Sequence, residues 1–220
     1  MISVKNKAWD WKTVEDSRWL EPSEDMYYFV HRWRKNSSKT LLDLGCGLGR
    51  HAILFAKEGF DVTAFDLSDD AINTLNAYCS TNDMDINTVR GDMVNLPFEE
   101  DSFDYVISYH VLSHTNTEGV FSTFKKLKEI LKPGGEMFIT LGSQGSTRFN
   151  AYTGEWLDSN TLIKDDGDHE HGIPHFYAND ALLQELLKPF EIVLIKLTRN
   201  VDLSRSDQYG WHYFIHVKQR

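Results

Sequence analysis

One stretch limits how this chain can fold more than any other: Leu41-Leu42-Asp43-Leu44-Gly45-Cys46-Gly47-Leu48-Gly49-Arg50-His51. An apolar run breaks into glycines at every second position, and a helical pattern starts directly afterwards. A buried strand that turns this tightly into a helix needs backbone without Cβ atoms. Gly45 and Gly47 satisfy that need, and they also let a ligand approach the backbone closely. The helix N-terminus beyond presents unpaired N–H groups and the positive end of the helix dipole. A plain strand-to-helix connection would look the same, so the remainder of the chain must decide.

Around this turn the pattern alternates between strand and helix. Thr40 to Leu44 reads as a first strand and Leu48 to Glu58 as a helix stopped by Gly59. A second strand covers Val62 to Phe65, and Ser68 caps a helix with Ala71, Ile72, Leu75 and Tyr78 on one face. Ile86 to Val89 and Phe103 to Ser108 follow as strands. Val120, Phe121, Phe124, Leu127 and Ile130 fall at helical spacing, and Lys132-Pro133-Gly134-Gly135 ends that helix. A fifth strand covers Glu136 to Leu141. Beyond residue 178, Asn179 or Asp180 caps a last helix, and strands follow at Glu191 to Thr198 and Trp211 to Val217. Such alternation predicts an α/β fold, a parallel sheet covered on both faces.

The chain's 220 residues suffice for one such domain with a sizeable core. Residues 1–38 form an N-terminal helical cover in which Met26, Tyr27, Phe29, Val30 and Trp33 mark an amphipathic helix. Residues 39–141 are the cofactor-binding core, and 142–178 are an inserted loop or lid rich in Gly, Asp, Ser and His. Residues 179–220 supply the C-terminal helix and strands. A net charge of −10 gives no global field to hold a phosphate backbone, so nucleic acid is not an expected partner. Two cysteines without a C-x-x-C pair fit a reducing compartment, and no apolar signal region or membrane-length stretch occurs. The expected setting is the cytoplasm, with no membrane partner and an oligomeric state that the sequence leaves open.

Spacing narrows the ligand. The dinucleotide fingerprint G-x-G-x-x-G wants a small third residue, and counting from Gly45 that position is Arg50. No Gly-Lys-Ser/Thr follows, which excludes a phosphate-binding P-loop. Asp43 is an acid within an apolar strand, repelling a pyrophosphate but favouring an ammonium group. A zwitterionic, amino-acid-bearing cofactor therefore fits better than a nicotinamide dinucleotide. Asp66, ending the second strand, can accept two ribose hydroxyls or else serve the helix start at Ser68. Asp92 can accept from an exocyclic amine while Met93 offers an apolar surface to a flat ring; alone, Asp92 would be a turn residue.

The ordered set LLDLGCGLGRH, VTAFDLSDDAI, GDMVNLPFEEDSFDYVISYHVLSH and LKPGGEMFIT resembles the class I S-adenosylmethionine-dependent methyltransferases, in particular the type 11-like small-molecule group. The fold expectation becomes a Rossmann-like, doubly wound, mostly parallel seven-stranded sheet with an antiparallel last strand. The resemblance implies S-adenosyl-L-methionine as cofactor, with Asp43, Gly45, Cys46 and Gly47 around its methionine part and Arg50 in a variant of the glycine motif. It implies that Asp66 and Leu67 hold the ribose, that Asp92 and Met93 flank the adenine, and that Tyr109 and His110 line the methyl-donor pocket. The implied function is in-line methyl transfer to a small-molecule acceptor. A non-catalytic S-adenosylmethionine-binding sensor or partner would carry the same cradle.

A sulfonium brings its own leaving group, so a general base is optional and no catalytic residue is assigned. Tyr109, His110, His114, His171 and His175 are the candidates, the histidines because their ordinary pKa lies near neutrality. His169, His171 and His175 stand among Asp168 and Glu170, a segment read as a substrate-facing lid and not as a metal site. Trp9, Trp11, Trp19, Tyr27, Tyr28 and Trp33 could form a cation–π pocket, but the packed underside of a helix is the favoured reading.

Overall fold

The computed structural model describes residues 6–11, 19–37, 39–165, 170–201 and 209–220. Its elements run α1 (Glu24–Trp33), β1 (Thr40–Leu44), α2 (Arg50–Lys57), β2 (Asp61–Asp66), α3 (Asp69–Asn82), β3 (Asn87–Arg90), β4 (Phe103–Ser108), α4 (Thr117–Ile130) and β5 (Leu131–Ser143). Then follow α5 (Thr147–Ala151), β6 (Trp156–Asp158), β7 (Thr161–Ile163), β8 (Pro174–Ala178), α6 (Asp180–Leu187), β9 (Phe190–Val201) and β10 (Tyr209–Gln219). The helix starts follow local chemistry: Ser68, Asn116 and Asn179 each accept an amide of the following turn through their side chains.

The main sheet has the order β3-β2-β1-β4-β5-β10-β9. The strands from β3 to β5 pair in parallel, and β10 runs antiparallel to both β5 and β9. This is the Rossmann-like seven-stranded arrangement, with an antiparallel closing strand, that the family resemblance implies. The chain winds outward from β1 to β3, then crosses back to β4 on the other side of β1. That reversal opens a crevice outside the carboxyl ends of β1 and β4, where doubly wound folds bind ligands.

Each face of the sheet carries its own core. On one side Met26, Phe29 and Trp33 of α1 join Phe55, Leu75, Tyr105 and Phe138. On the other, Phe124 and Leu127 of α4 and Leu183 and Leu186 of α6 pack on Leu42, Val106 and Ile139. Glu136 bolts the cover to the sheet: it accepts from Arg32, from the Trp33 indole at 2.7 Å, and pairs with His216 at 2.8 Å.

About half of the described residues in the expected loop at 142–178 lie in short strands or helix. β8 pairs in parallel with the end of β5 through Gly142 and Ser143, and β7 and β6 continue from it as an antiparallel meander. These strands are three to five residues long, and Pro174 and His175 interrupt the apolar alternation, so a period-two signal never develops. Asp168 and His169 lie outside the described residues.

Candidate active site: a donor cradle beside a second cavity

The turn after β1 places Gly45, Gly47 and Gly49 at φ of 75°, 53° and 88°, a region that side chains rarely adopt. The amides of Gly45 and Cys46 donate to the Phe65 carbonyl at 2.7 and 3.1 Å, tying the turn to β2. One residue on, Asp66 reaches back across the same gap. Its carboxylate accepts the Gly47 amide and the Ser68 amide, each at 2.8 Å. Burial pushes the Asp66 pKa upward, opposed by these amide bonds.

Gly45, Cys46, Gly47, Arg50, Asp66, Leu67, Asp92, Met93 and Tyr109 line one shared cavity at the sheet's carboxyl edge. Asp43 is placed differently. Its carboxylate is almost fully buried beneath the turn, accepts the Ala52 amide at 3.0 Å, and does not reach the cavity wall. Desolvation pushes it up to about 7. Any effect of Asp43 on a ligand acts through the field and through the start of α2. Asp92 accepts the Val94 amide at 3.2 Å and the Asn6 side-chain amide at 2.7 Å. The Arg50 guanidinium lies over the rings of Trp19 and Tyr109, 5.0 and 5.6 Å from their centroids. Arg50 thus packs against aromatic walls where a dinucleotide fold would have its third glycine.

The aromatic stripe of the N-terminal region divides. Trp33 is core and Tyr27 and Tyr28 are exposed, but Trp9, Trp11 and Trp19 roof the cavity above the glycine turn. Trp9 lies 5.2 Å from Trp11 and 5.0 Å from Trp19, ring centre to ring centre. A Cβ on Gly47 would stand 2.5 Å from the Trp11 ring. The indole N–H of Trp11 and the Asn6 side-chain oxygen are buried with no hydrogen-bond partner among the described residues. Buried polar atoms left open in this way suit a polar ligand beneath the roof. Asn6 lines this cavity too and was missed by sequence reasoning, whereas the three tryptophans follow the pocket reading that the sequence did not favour.

A second cavity of about 1110 Å³ adjoins the first, and Trp19, His110 and His114 belong to both walls. His110 ends β4 in the left-handed region, at φ 61°. Its amide donates to the Thr140 hydroxyl at 2.7 Å, which fixes the bend. Burial pushes the imidazole down to about 3, so at neutral pH it is uncharged. Its ring meets His212 of β10 edge-on at 4.9 Å. The His212 Nδ1 is buried without a partner among the described residues. His114 stacks on Trp9 at 5.8 Å, and burial holds it near 3 as well. His175 faces this cavity too, whereas His171 is exposed and contributes its backbone carbonyl to Lys7 at 2.6 Å. Tyr109 is half-shielded, its hydroxyl pKa raised by burial.

Fold and cradle together are those of a Rossmann-like domain. Residues 41–135 match a family model described as a methyltransferase domain, so this part of the chain is similar to the class I S-adenosylmethionine-dependent methyltransferases, whose cofactor is S-adenosylmethionine. Among curated relatives, the chain is 26% identical over 200 residues to a sterol 24-C-methyltransferase of Kluyveromyces lactis, covering 84% of this chain and 48% of that protein. It is 34% identical over 99 residues to a probable S-adenosyl-L-methionine-dependent methyltransferase, TehB, of Haemophilus influenzae, covering 45% and 34%. The chain therefore spans about half or less of the length of these relatives. A SAM-dependent methyltransferase structure from Methanosarcina mazei superimposes with a TM-score of 0.72 at 17% identity, over 91% of this chain and 99% of that one. A Pyrococcus horikoshii protein gives 0.70 at 21%, over 90% and 89%, and these two likenesses establish the fold.

Proposed function

We propose that this chain transfers the methyl group of S-adenosylmethionine to a small-molecule acceptor held in the second cavity. The observation that carries the proposal is the common wall: Trp19, His110 and His114 face both the glycine cradle and the larger cavity. When bound, the cofactor supplies an electrophilic methyl group and a neutral thioether leaving group. The chain's own residues hold and orient. Asp66 would accept from ribose hydroxyls with the carboxylate lone pairs that Gly47 and Ser68 leave free, and the glycine turn would receive the aminoacyl end. Asp92 and Met93 would take the adenine. The unpartnered Trp11 N–H and Asn6 oxygen fit a ligand rich in both donors and acceptors.

Positioning of this kind can supply roughly 7–11 kcal/mol of a barrier. His110, uncharged and at the boundary of both cavities, would accept a hydrogen bond from the acceptor and so aim its nucleophile at the donor. The wall of the second cavity, with Ser113, Tyr152, Lys164, Glu170, His175 and His212, favours a polar acceptor over a sterol. No helix among the described residues is long and apolar enough to cross a membrane.

The test is a melting series with S-adenosylmethionine, S-adenosylhomocysteine and NADH, followed by a screen of phenols, hydroxy acids, amines and thiols for methylated product. A rise in Tm with the first two and product from one acceptor class are expected. A shift with NADH alone would overturn the donor assignment. Donor binding without product from any class would favour a non-catalytic binding protein.

A further inference from the structure

Three side chains with unshared electron pairs converge on one point of the second cavity: His114 from the turn after β4, Glu170 from the meander, and His175 on β8. One ligand atom from each lies within 4.8 Å of the others. His114 Nε2 stands 3.9 Å from Glu170 Oε1, and His175 Nε2 stands 3.6 Å from Glu170 Oε2. Both distances exceed a hydrogen bond. Two ligands held about 2.1 Å from one tetrahedral ion stand about 3.4 Å apart, close to what is seen.

The ring orientation of His175 is also set. Its Nδ1 lies 3.1 Å from the Ile173 carbonyl. A carbonyl can only accept, so Nδ1 carries a proton and Nε2 is the nitrogen turned toward Glu170. Holding one imidazole nitrogen by a backbone carbonyl is the usual outer support of a metal-bound histidine. Trp9 stacks on His114 and fixes its plane in turn. All three side chains are less than one-fifth exposed.

We propose that His114, Glu170 and His175 form a binding site for one divalent transition-metal ion, of the two-histidine, one-carboxylate kind, with its open positions facing the second cavity. Nitrogen and oxygen ligands in this set suit zinc, iron(II) or cobalt(II) over magnesium or calcium. Lys164 contacts the same carboxylate and is itself largely buried. Its ammonium competes with an incoming ion for the carboxylate and opposes its charge. The site's net charge is therefore near zero, and moderate affinity is expected. The grouping differs from any that sequence proximity suggests: His171 points away, and His114 joins from more than fifty residues upstream. Resting on the methyltransferase reading, an ion here would select acceptors that offer a hydroxyl or carboxylate oxygen.

The experiment titrates Co²⁺ into metal-stripped full-length chain, with no donor or acceptor present, and follows visible d–d absorption and displacement by Zn²⁺. One equivalent should bind. Glu170→Gln and His175→Ala should weaken binding at least tenfold, while His171→Ala leaves it unchanged. Lys164→Met should tighten it at least threefold by removing the opposing charge. Near-UV circular dichroism confirms that each variant is folded, and the nearly isosteric Glu170→Gln decides the matter should His175→Ala unfold. Absence of a stoichiometric spectrum, equal binding by Glu170→Gln, or unchanged or weaker binding by Lys164→Met would overturn the site in favour of a Lys164–Glu170 ion pair. Because no methyl donor is present, failure here leaves the methyl-transfer reading standing, and failure to methylate leaves the metal result standing.

Discussion

The carboxylate of Asp66 accepts the amide of Gly47 at 2.8 Å, so the end of the second strand holds the glycine turn of the first. A side chain proposed to bind the ribose therefore also shapes the surface beneath it. Asp66→Ala should abolish the S-adenosylmethionine-induced rise in Tm and leave the Gly47 and Ser68 amides without their acceptor, costing about 1–3 kcal/mol of stability. Asp66→Asn keeps one accepting oxygen and should recover part of the stability but little of the binding. Urea unfolding beside calorimetric titration separates the two effects; full donor affinity in Asp66→Ala would sink the ribose assignment.

Gly47 has a second neighbour in the Trp11 ring. Adding a Cβ at φ 53° strains the backbone by about 1–2 kcal/mol, and at 2.5 Å from the indole it must push the roof away. Gly47→Ala should lose donor binding and shift the tryptophan fluorescence of the free protein to longer wavelength. In Gly47→Ala/Trp11→Ala the clash is gone but the strain remains, so stability should fall less than the sum of the single changes. Additive losses would show that Trp11 does not close over the turn in solution.

Buried carboxylates and imidazoles together shape the stability profile. Burial raises Asp43 to about 7 from an ordinary 3.8, so between those values the folded protein holds a proton that the unfolded chain releases. Stability from this group then falls as pH rises from about 4 to 7. Asp66 is raised by burial as well and acts in the same direction. Glu136 has the opposite sign. Burial alone would raise it, but bonds from His216, Arg32 and Trp33 hold it well below the usual range. Its contribution is complete above about pH 4.5 and is lost as pH falls further. Burial acts with the sign of Glu136 on the imidazoles of His51, His110 and His114, each held near 3: from about pH 3 to 6.5 the unfolded chain binds protons that the folded protein excludes. Three such groups outweigh Asp43, so unfolding free energy should climb from acid pH toward neutrality, with Asp43 blunting the climb between about pH 4 and 7. Asp43→Asn, whose amide oxygen can still accept from Ala52, should steepen the climb over that range, and Glu136→Gln should shrink the loss on the acid side. An unchanged slope between about pH 4 and 7 in Asp43→Asn would contradict the buried state of Asp43.

The doubly wound sheet was legible because its strands and helices are long enough to show their periods and end at recognisable caps, such as Ser68 and Asn179. The grouping of Gly45, Gly47, Asp66 and Asp92 around one cavity was legible because strand-end acids and glycines stand at fixed places in that fold. Asp43 shows the limit. Its position in the sequence is the same whether it faces a ligand or lies under the turn bonded to Ala52, and only packing distinguishes the two. Trp9, Trp11 and Trp19 meet over the cavity through ring contacts that their spacing along the chain does not encode. His212 and Glu170 join His110 and His114 only because β10 and the meander fold over the sheet's carboxyl edge. Such long-range meetings leave no local trace.

His110 combines an unfavourable backbone with a position between two cavities, a pairing typical of residues held for function. Asn tolerates the left-handed region well, so His110→Asn should leave stability within about 1 kcal/mol of wild type. A β-branched replacement such as His110→Val should cost about 1–2 kcal/mol more. Because burial keeps the imidazole near 3, its role at neutral pH is to accept a hydrogen bond and not to store a proton. Losing one such bond to the acceptor is worth about 1–3 kcal/mol, or roughly 10- to 100-fold in kcat/KM. Donor affinity should change little in His110→Asn, since the cradle residues are untouched. Unchanged kcat/KM together with unchanged donor binding would leave the bend at φ 61° as a purely structural feature of the β4 end.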